Sequence, residues 1–166
     1  PRPWVSDPRP ERLAEAICAN PLAATIAAEV LRLTHSLSFG DALQVESLAY
    51  SALLGGNEFA RWRAKTAADA AAPVPDPPLS TEREGDRLTL TLNDPANRNA
   101  MSAPMRDALY EALANALDDP TRPDVLIKGA GKCFSTGGAL AEFGTAQDLA
   151  EAHAVRTLHS CARALD

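Results

Sequence analysis

Aromatic side chains are scarce in this 166-residue chain, at 5% of positions against 46% hydrophobic residues overall. Alanine supplies much of the apolar share, which predicts helices packed closely on small side chains. Cysteine is also rare: Cys18, Cys133 and Cys161 are widely spaced and form no Cys-x-x-Cys pair. That argues against a disulfide scaffold and a zinc site, so no metal is expected, and a reduced, cytoplasmic setting fits. No apolar run approaches the roughly 18 residues of a membrane span, and the opening Pro-Arg-Pro-Trp lacks the apolar core of a signal peptide. The absence of an initiating Met implies a processed start or a cut from something longer. Basic residues are outnumbered, with a net charge of -6. That argues against a general nucleic-acid binder, which shows a basic face, but not against a phosphorylated small ligand held by a few local Lys or Arg. The length suits one domain with a real core or two smaller pieces.

What is present divides at a proline-rich stretch. Residues 1–67 read as helical. Asn20 is placed to cap a helix with Pro21 at its first position, and Leu22, Ile26, Val30, Leu33 and Leu37 fall on one face of it. A second helix follows Ser38, with Asp41 as its capping-box partner. It carries Leu43, Ser47, Tyr50 and Leu54 on one side and ends at Gly55-Gly56, after which Asn57 can cap a short helix bearing Phe59 and Trp62. Residues 68–79 hold four prolines in twelve positions, which predicts an extended linker and a domain boundary.

From residue 80 to 166 the pattern changes. Ser80–Arg83 and Arg87–Asn93 read as two strands joined at Glu84-Gly85-Asp86, with Leu88, Leu90 and Leu92 facing a core. Ser102 caps a helix striped with Met105, Leu109, Leu113 and Leu117, and Val125-Leu126-Ile127 reads as a short buried strand. A glycine-rich bend follows, with a new helix expected to open at Gly137-Gly138. Thr145 and Asp148 form another capping box before a helix running from Leu149 to Leu165.

The bend is not a Walker phosphate loop, because Leu126 and Cys133 stand where Gly and Ser or Thr are needed. Nor is it a dinucleotide fingerprint, because the third glycine counted from Gly129 would fall at Phe134. A plain turn stays open. Its neighbours add three motifs in order: Asn99-Ala100-Met101, Gly129-Ala130-Gly131, and Phe134-Ser135-Thr136-Gly137-Gly138-Ala139-Leu140. Over residues 87–143 this succession resembles the first half of the enoyl-CoA hydratase/isomerase (crotonase) family. One position departs: the Asp usual after Gly-Gly is Ala139 here, which puts the rigidity of the loop in question.

The resemblance implies an α/β fold, the first half of a ββα superhelical core behind an all-helical N-terminal segment. It implies an acyl-CoA thioester as substrate, with coenzyme A part of the substrate and no separate cofactor. The backbone N–H matching Gly138 would be one donor of an oxyanion hole, where charge develops on the thioester oxygen. The positions matching Ala100 and Met101 would line the pantetheine and acyl path, and those matching Thr136, Gly137, Ala139 and Leu140 would lie near the adenine or the thioester. Arg98, Arg106 and Lys132 are candidates for the CoA phosphates, beside the plainer reading of solvated charges. The front helices, from Asn20 to Arg63, are similar to the C-terminal helices of the same family. A homo-oligomer, trimer or hexamer, is implied for the full protein.

Hydration needs an acid and a base, which the family places in its second half. Here Glu142, His153, His159, His35, Cys133, Ser135 and Thr136 offer no evident pair. Two readings follow: the acyl-CoA-binding part of an enzyme of this type, inactive alone, or a non-catalytic acyl-CoA-binding or helix-mediated interaction module. Half a superhelix would also leave an open sheet edge and an exposed apolar face.

Overall fold

Local caps and apolar alternation place most elements near where the sequence puts them. The computed structural model describes residues 10–66 and 72–166, so residues 1–9 and 67 of the expected helical segment and 68–71 of the expected linker lie outside the described residues. The chain divides into two compact units, with the break in sequence between Lys65 and Thr66. Among the described residues no single helix is long and apolar enough to cross a membrane.

The first unit is helical: α1 (Pro10–Ala19), α2 (Pro21–Thr34), α3 (Phe39–Leu54) and α4 (Asn57–Lys65). Ser38 caps α3 as expected, its Oγ accepting from Asp41 N–H and donating to the Asp41 carboxylate at 2.6 Å. Asn20 does not cap α2. It directly follows α1, donating its own N–H to Ala16 and Ile17 carbonyls, and its side chain makes no cap bond. The cap comes from Glu58 on α4, whose two oxygens accept from Leu22 and Ala23 N–H at 3.0 and 2.9 Å. A carboxylate there satisfies two orphan donors and meets the positive end of the helix dipole. Asn57 is likewise the first helical residue of α4 and not its cap. The apolar stripe on α2 is only partly covered, with Ile26 and Val30 half-buried but Leu22 63% and Leu33 56% exposed.

The second unit is α/β. Strands β1 (Leu79–Glu84) and β2 (Arg87–Leu92) pair antiparallel through a two-residue turn, where Gly85 adopts φ +56°. Helix α5 (Ala103–Asp118) crosses to β3 (Asp124–Gly129), which pairs parallel to β2, giving the order β1-β2-β3. Leu79, Leu90, Leu92, Met105, Leu109 and Leu113 make the buried core. Leu117, the last residue of the predicted α5 stripe, is exposed near the end of the helix. β3 is not buried as the sequence predicts: it is an edge strand, with Val125 and Leu126 exposed and Ile127 half-buried against the core.

The single helix expected from Leu149 to Leu165 is two, α6 (Leu149–Leu158) and α7 (Cys161–Ala164), broken at His159 and restarted by a Ser160 cap. The break lets Cys161 and Ala164 reach the core. Asp148 alone caps α6, accepting from Ala150 and Glu151 N–H, while Thr145 bonds back to the Glu142 carbonyl. Ahead of β1, Ala72 and Asn97 exchange two hydrogen bonds of 2.9 Å, so this described part of the proline-rich stretch is tied to the turn after β2.

Candidate functional site: the glycine-rich turn and its anchor

The turn after β2 is built to bury one polar side chain. Pro95–Asn97 form a turn of 3-10 helix capped by the buried Asp94, and Arg98 and Asn99 then reverse the chain at φ 55° and 53°. Asn is among the few non-glycine residues that tolerate this left-handed region. Asn99 is 0% exposed. Its Oδ1 accepts from Asp94 N–H at 2.9 Å, and its Nδ2 donates to the Ala130 and Cys133 carbonyls at 2.9 and 2.8 Å. Its own carbonyl accepts the Ser135 hydroxyl at 2.7 Å. One amide thus joins the turn after β2 to the loop after β3.

That loop must lie close. A Cβ on Gly129 would sit 2.4 Å from the Phe134 carbonyl oxygen and 2.8 Å from Asn99 Nδ2, so only glycine fits. Ser135 Oγ then accepts from Gly137 N–H at 3.1 Å. Gly137, at φ +81°, turns the chain into an isolated parallel bridge between Met101 and Gly138. In that bridge Met101 N–H donates to the Gly137 carbonyl at 2.7 Å and Ala139 N–H donates to the Met101 carbonyl at 3.2 Å.

The bridge decides which amide is left over. Successive residues of extended chain point their N–H groups to opposite sides, so binding Gly137 and Ala139 to Met101 turns Gly138 N–H the other way. It donates to no acceptor among the described residues, and Gly138 is exposed. The Phe143 ring backs it closely, 2.9 Å from where a Cβ would be. A free, outward amide on a cross-braced loop can donate to an oxygen without first breaking a bond.

The helix expected to open at Gly137-Gly138 is absent. The Gly137 carbonyl and the Ala139 amide are committed to Met101 and the Gly137 amide to Ser135, and only one turn of 3-10 helix follows, at Leu140–Glu142. Of the residues singled out in the sequence, Met101, Gly137, Gly138 and Ala139 are brought together by the bridge, with Ala100 half-buried beside it. Thr136 and Leu140 flank the loop and are exposed.

Three of the candidate acids, bases and nucleophiles, Glu142, Ser135 and His159, are engaged in structural contacts. Both Glu142 oxygens accept from Ala103 N–H, at 3.2 and 2.9 Å, reinforcing the Ser102 cap of α5. Ser135 spends its proton on Asn99. His159 stacks on Tyr110 with centroids 4.9 Å apart. Cys161 lies against the Arg106 carbonyl, and burial pushes its thiol up, away from thiolate. Arg106 pairs with Asp107, while Arg98 and Lys132 are exposed. Among the described residues no three His, Cys, Asp or Glu cluster as a metal site. Asn99 is the residue that sequence reasoning passed over. It stood inside a quoted motif, but spacing does not reveal that its amide would be buried against a loop more than thirty residues on.

Comparison with known proteins gives a family match over part of the chain. Residues 88–162 match the enoyl-CoA hydratase/isomerase family model. The chain is 35% identical over 83 residues to enoyl-CoA hydratase domain-containing protein 3, mitochondrial, of Danio rerio, covering 49% of this chain and 27% of that protein. Its Xenopus laevis counterpart is 34% identical over 74 residues, covering 45% and 24%. Among solved structures, an enoyl-CoA hydratase from Mycobacterium marinum is 40% identical with a TM-score of 0.39, covering 41% of this chain and 32% of that one. A carnitinyl-CoA hydratase from Mycobacterium avium is 32% identical with a TM-score of 0.42, covering 48% and 31%. The chain thus spans about a quarter of the length of these curated relatives. Residues 88–162, which hold Asn99, the Met101–Gly138 bridge and the whole glycine-rich loop, belong to the enoyl-CoA hydratase/isomerase family.

Proposed function

We propose that this segment binds an acyl-CoA thioester and that Gly138 N–H donates to its carbonyl oxygen, as one donor of an oxyanion hole. The observation that carries this reading is the uncommitted Gly138 amide, fixed by the Met101 bridge and exposed within the family's matching segment. An enolate-like thioester concentrates negative charge on that oxygen, and a donor already aimed at it costs no reorganisation when the charge forms. Met101 and Ala100 would border the acyl and pantetheine path, with Thr136, Gly137, Ala139 and Leu140 on the other side. The small side chains at 137–139 would let the ligand lie against the backbone.

Gly138 is the one donor proposed here, and Glu142 and Ser135, two candidates for acid–base or nucleophilic work, are spent on the helix and the loop. The proposed role of this chain is therefore to bind and polarise the thioester within an enzyme of the hydratase/isomerase type. By itself it would not hydrate crotonyl-CoA. A non-catalytic interaction module is the second reading, favoured by the exposed leucines of α2.

The test is an amide-detected NMR titration with crotonyl-CoA, set against a thioether analogue that keeps coenzyme A but lacks the carbonyl. The expected result is a downfield shift of the Gly138 amide with the thioester only, and shifts at Ala100 and Met101 with both ligands. A Gly138 amide indifferent to the thioester at saturation overturns the proposal.

A further inference from the structure

Phe143 differs from the other large apolar side chains of the glycine-rich loop. Phe134 and Leu140 are each 60% exposed, whereas Phe143 is half-buried and lies against Gly138. A Cβ on Gly138 would sit 2.9 Å from Cε1 of the ring and 3.1 Å from Cζ, so the ring occupies the space that a side chain at 138 would take. The backbone itself does not call for glycine there. Gly137 turns at φ +81°, in the left-handed region, but Gly138 is not among the positive-φ residues. It is the ring that leaves no room.

The segment carrying the ring is tied on both sides. Ala139 N–H is bonded to the Met101 carbonyl, Glu142 N–H to the Ala139 carbonyl at 3.0 Å, and Phe143 N–H to the Leu140 carbonyl at 3.2 Å. The Glu142 carboxylate accepts from Ala103 N–H at the start of α5, and the Thr145 hydroxyl donates to the Glu142 carbonyl at 2.8 Å. The Met101 bridge, by contrast, grips Gly138 along one edge only, through the Gly137 carbonyl and the Ala139 amide. Two bonds along one edge define an axis about which the opposite edge, bearing the Gly138 N–H, can rock. Glycine resists such rocking least, because no side chain restrains its backbone. A flat ring against one face blocks the motion on that side. It also keeps water off that face, and a donor in less water is worth more to a forming charge.

We propose that Phe143 is a positioning residue for the Gly138 amide. The proposal rests on the reading of Gly138 as a thioester donor, and adds that two contacts set its aim: the Met101 bridge within the plane of the backbone and the Phe143 ring out of it.

The test compares the dissociation constants of crotonyl-CoA and the thioether analogue, by NMR titration of the 166-residue chain and of its Phe143→Ala, Gly138→Ala and double variants. The unaltered chain is expected to prefer the thioester. Phe143→Ala is expected to lose about three- to tenfold of that preference, the range for weakening one hydrogen bond. Hydrogen exchange at Ala139 stays slow in this variant, because the Met101 bridge does not use the ring. Gly138→Ala displaces the ring and is expected to lose the preference to the same degree, so the double variant loses no more than either single one. An unaltered chain with no preference for the thioester overturns the donor reading, and this one with it. An unaltered chain that prefers the thioester, beside a Phe143→Ala variant that prefers it equally, overturns the positioning role alone. So does fast exchange at Ala139 in Phe143→Ala, which would make the ring a brace of the whole loop, or a double variant in which the two losses multiply.

Discussion

The two units hold themselves together by different means. In the β/α unit six apolar side chains are buried, and β2 alone contributes two of them, Leu90 and Leu92. In the helical unit the buried residues, among those described, are Ser47 and Glu58, while leucines on α2 stand in the open. The helical periodicity of Leu22, Ile26, Val30 and Leu33 is as regular as the alternation of Leu88, Leu90 and Leu92. Periodicity therefore says which side chains share a face; burial depends on whether another element covers it. The helical unit instead leans on one long-range carboxylate cap, and the β/α unit on a packed core plus a buried amide.

That contrast can be broken by substitution. Trp4 and Trp62, the only tryptophans, both precede Lys65, so fluorescence in a urea titration follows the helical segment and amide exchange at β2 follows the other unit. Met105→Ala is expected to cost the β/α unit about 2–5 kcal/mol through lost burial and an unfilled cavity, leaving the fluorescence midpoint in place. Asn99→Ala comes next, at about 3 kcal/mol, because it strands the Asp94 N–H and the Ala130 and Cys133 carbonyls. It is also expected to release the loop and raise amide exchange at Ala139. Glu58→Gln is expected to lower only the fluorescence midpoint, by about 1 kcal/mol, since a neutral acceptor keeps some of the cap but loses the charge. Leu33→Ala, at an exposed site on α2, is expected to change stability by less than about 0.5 kcal/mol. A cost like that of Met105→Ala would show that the helical face is covered in solution.

The smallest effect is electrostatic. Hydrogen bonds from the Thr121 hydroxyl and N–H, with a lesser contribution from Arg83 at 2.7 Å, hold the Asp119 carboxyl below its usual value. Its folded value is the depressed one, so its contribution is present above the ordinary carboxylate range and is lost as pH falls through the folded value. Thr121→Val is expected to raise the Asp119 titration midpoint, read by NMR, and to flatten this slight acid dependence.

What the sequence disclosed was mostly local. The Ser38 and Ser102 caps, the Gly85 turn and the alternation in β2 depend on residues a few positions apart, and each is seen in the structure. The misses came from partners far along the chain. Glu58 took over the cap from Asn20 across 35 to 36 residues, and Glu142 joined the cap of α5 across 39. The helix expected at Gly137-Gly138 lost the Gly137 carbonyl and the Ala139 amide to Met101, which no local propensity could show. At the candidate site, motif order singled out the glycine-rich loop, and Asn99-Ala100-Met101 was part of that pattern. What stayed hidden was that Met101 selects the free amide and that Asn99 braces the loop on which it sits.

The most direct measurement is backbone hydrogen exchange at Gly138 and Ala139, without ligand and then with crotonyl-CoA. The expected pattern without ligand is fast exchange at Gly138 beside a protected Ala139, because only the latter is bonded to Met101. With the thioester, Gly138 is expected to become protected while Ala139 is unchanged. A Gly138 amide already protected in the free protein, or one still unprotected at saturating thioester, would contradict the account.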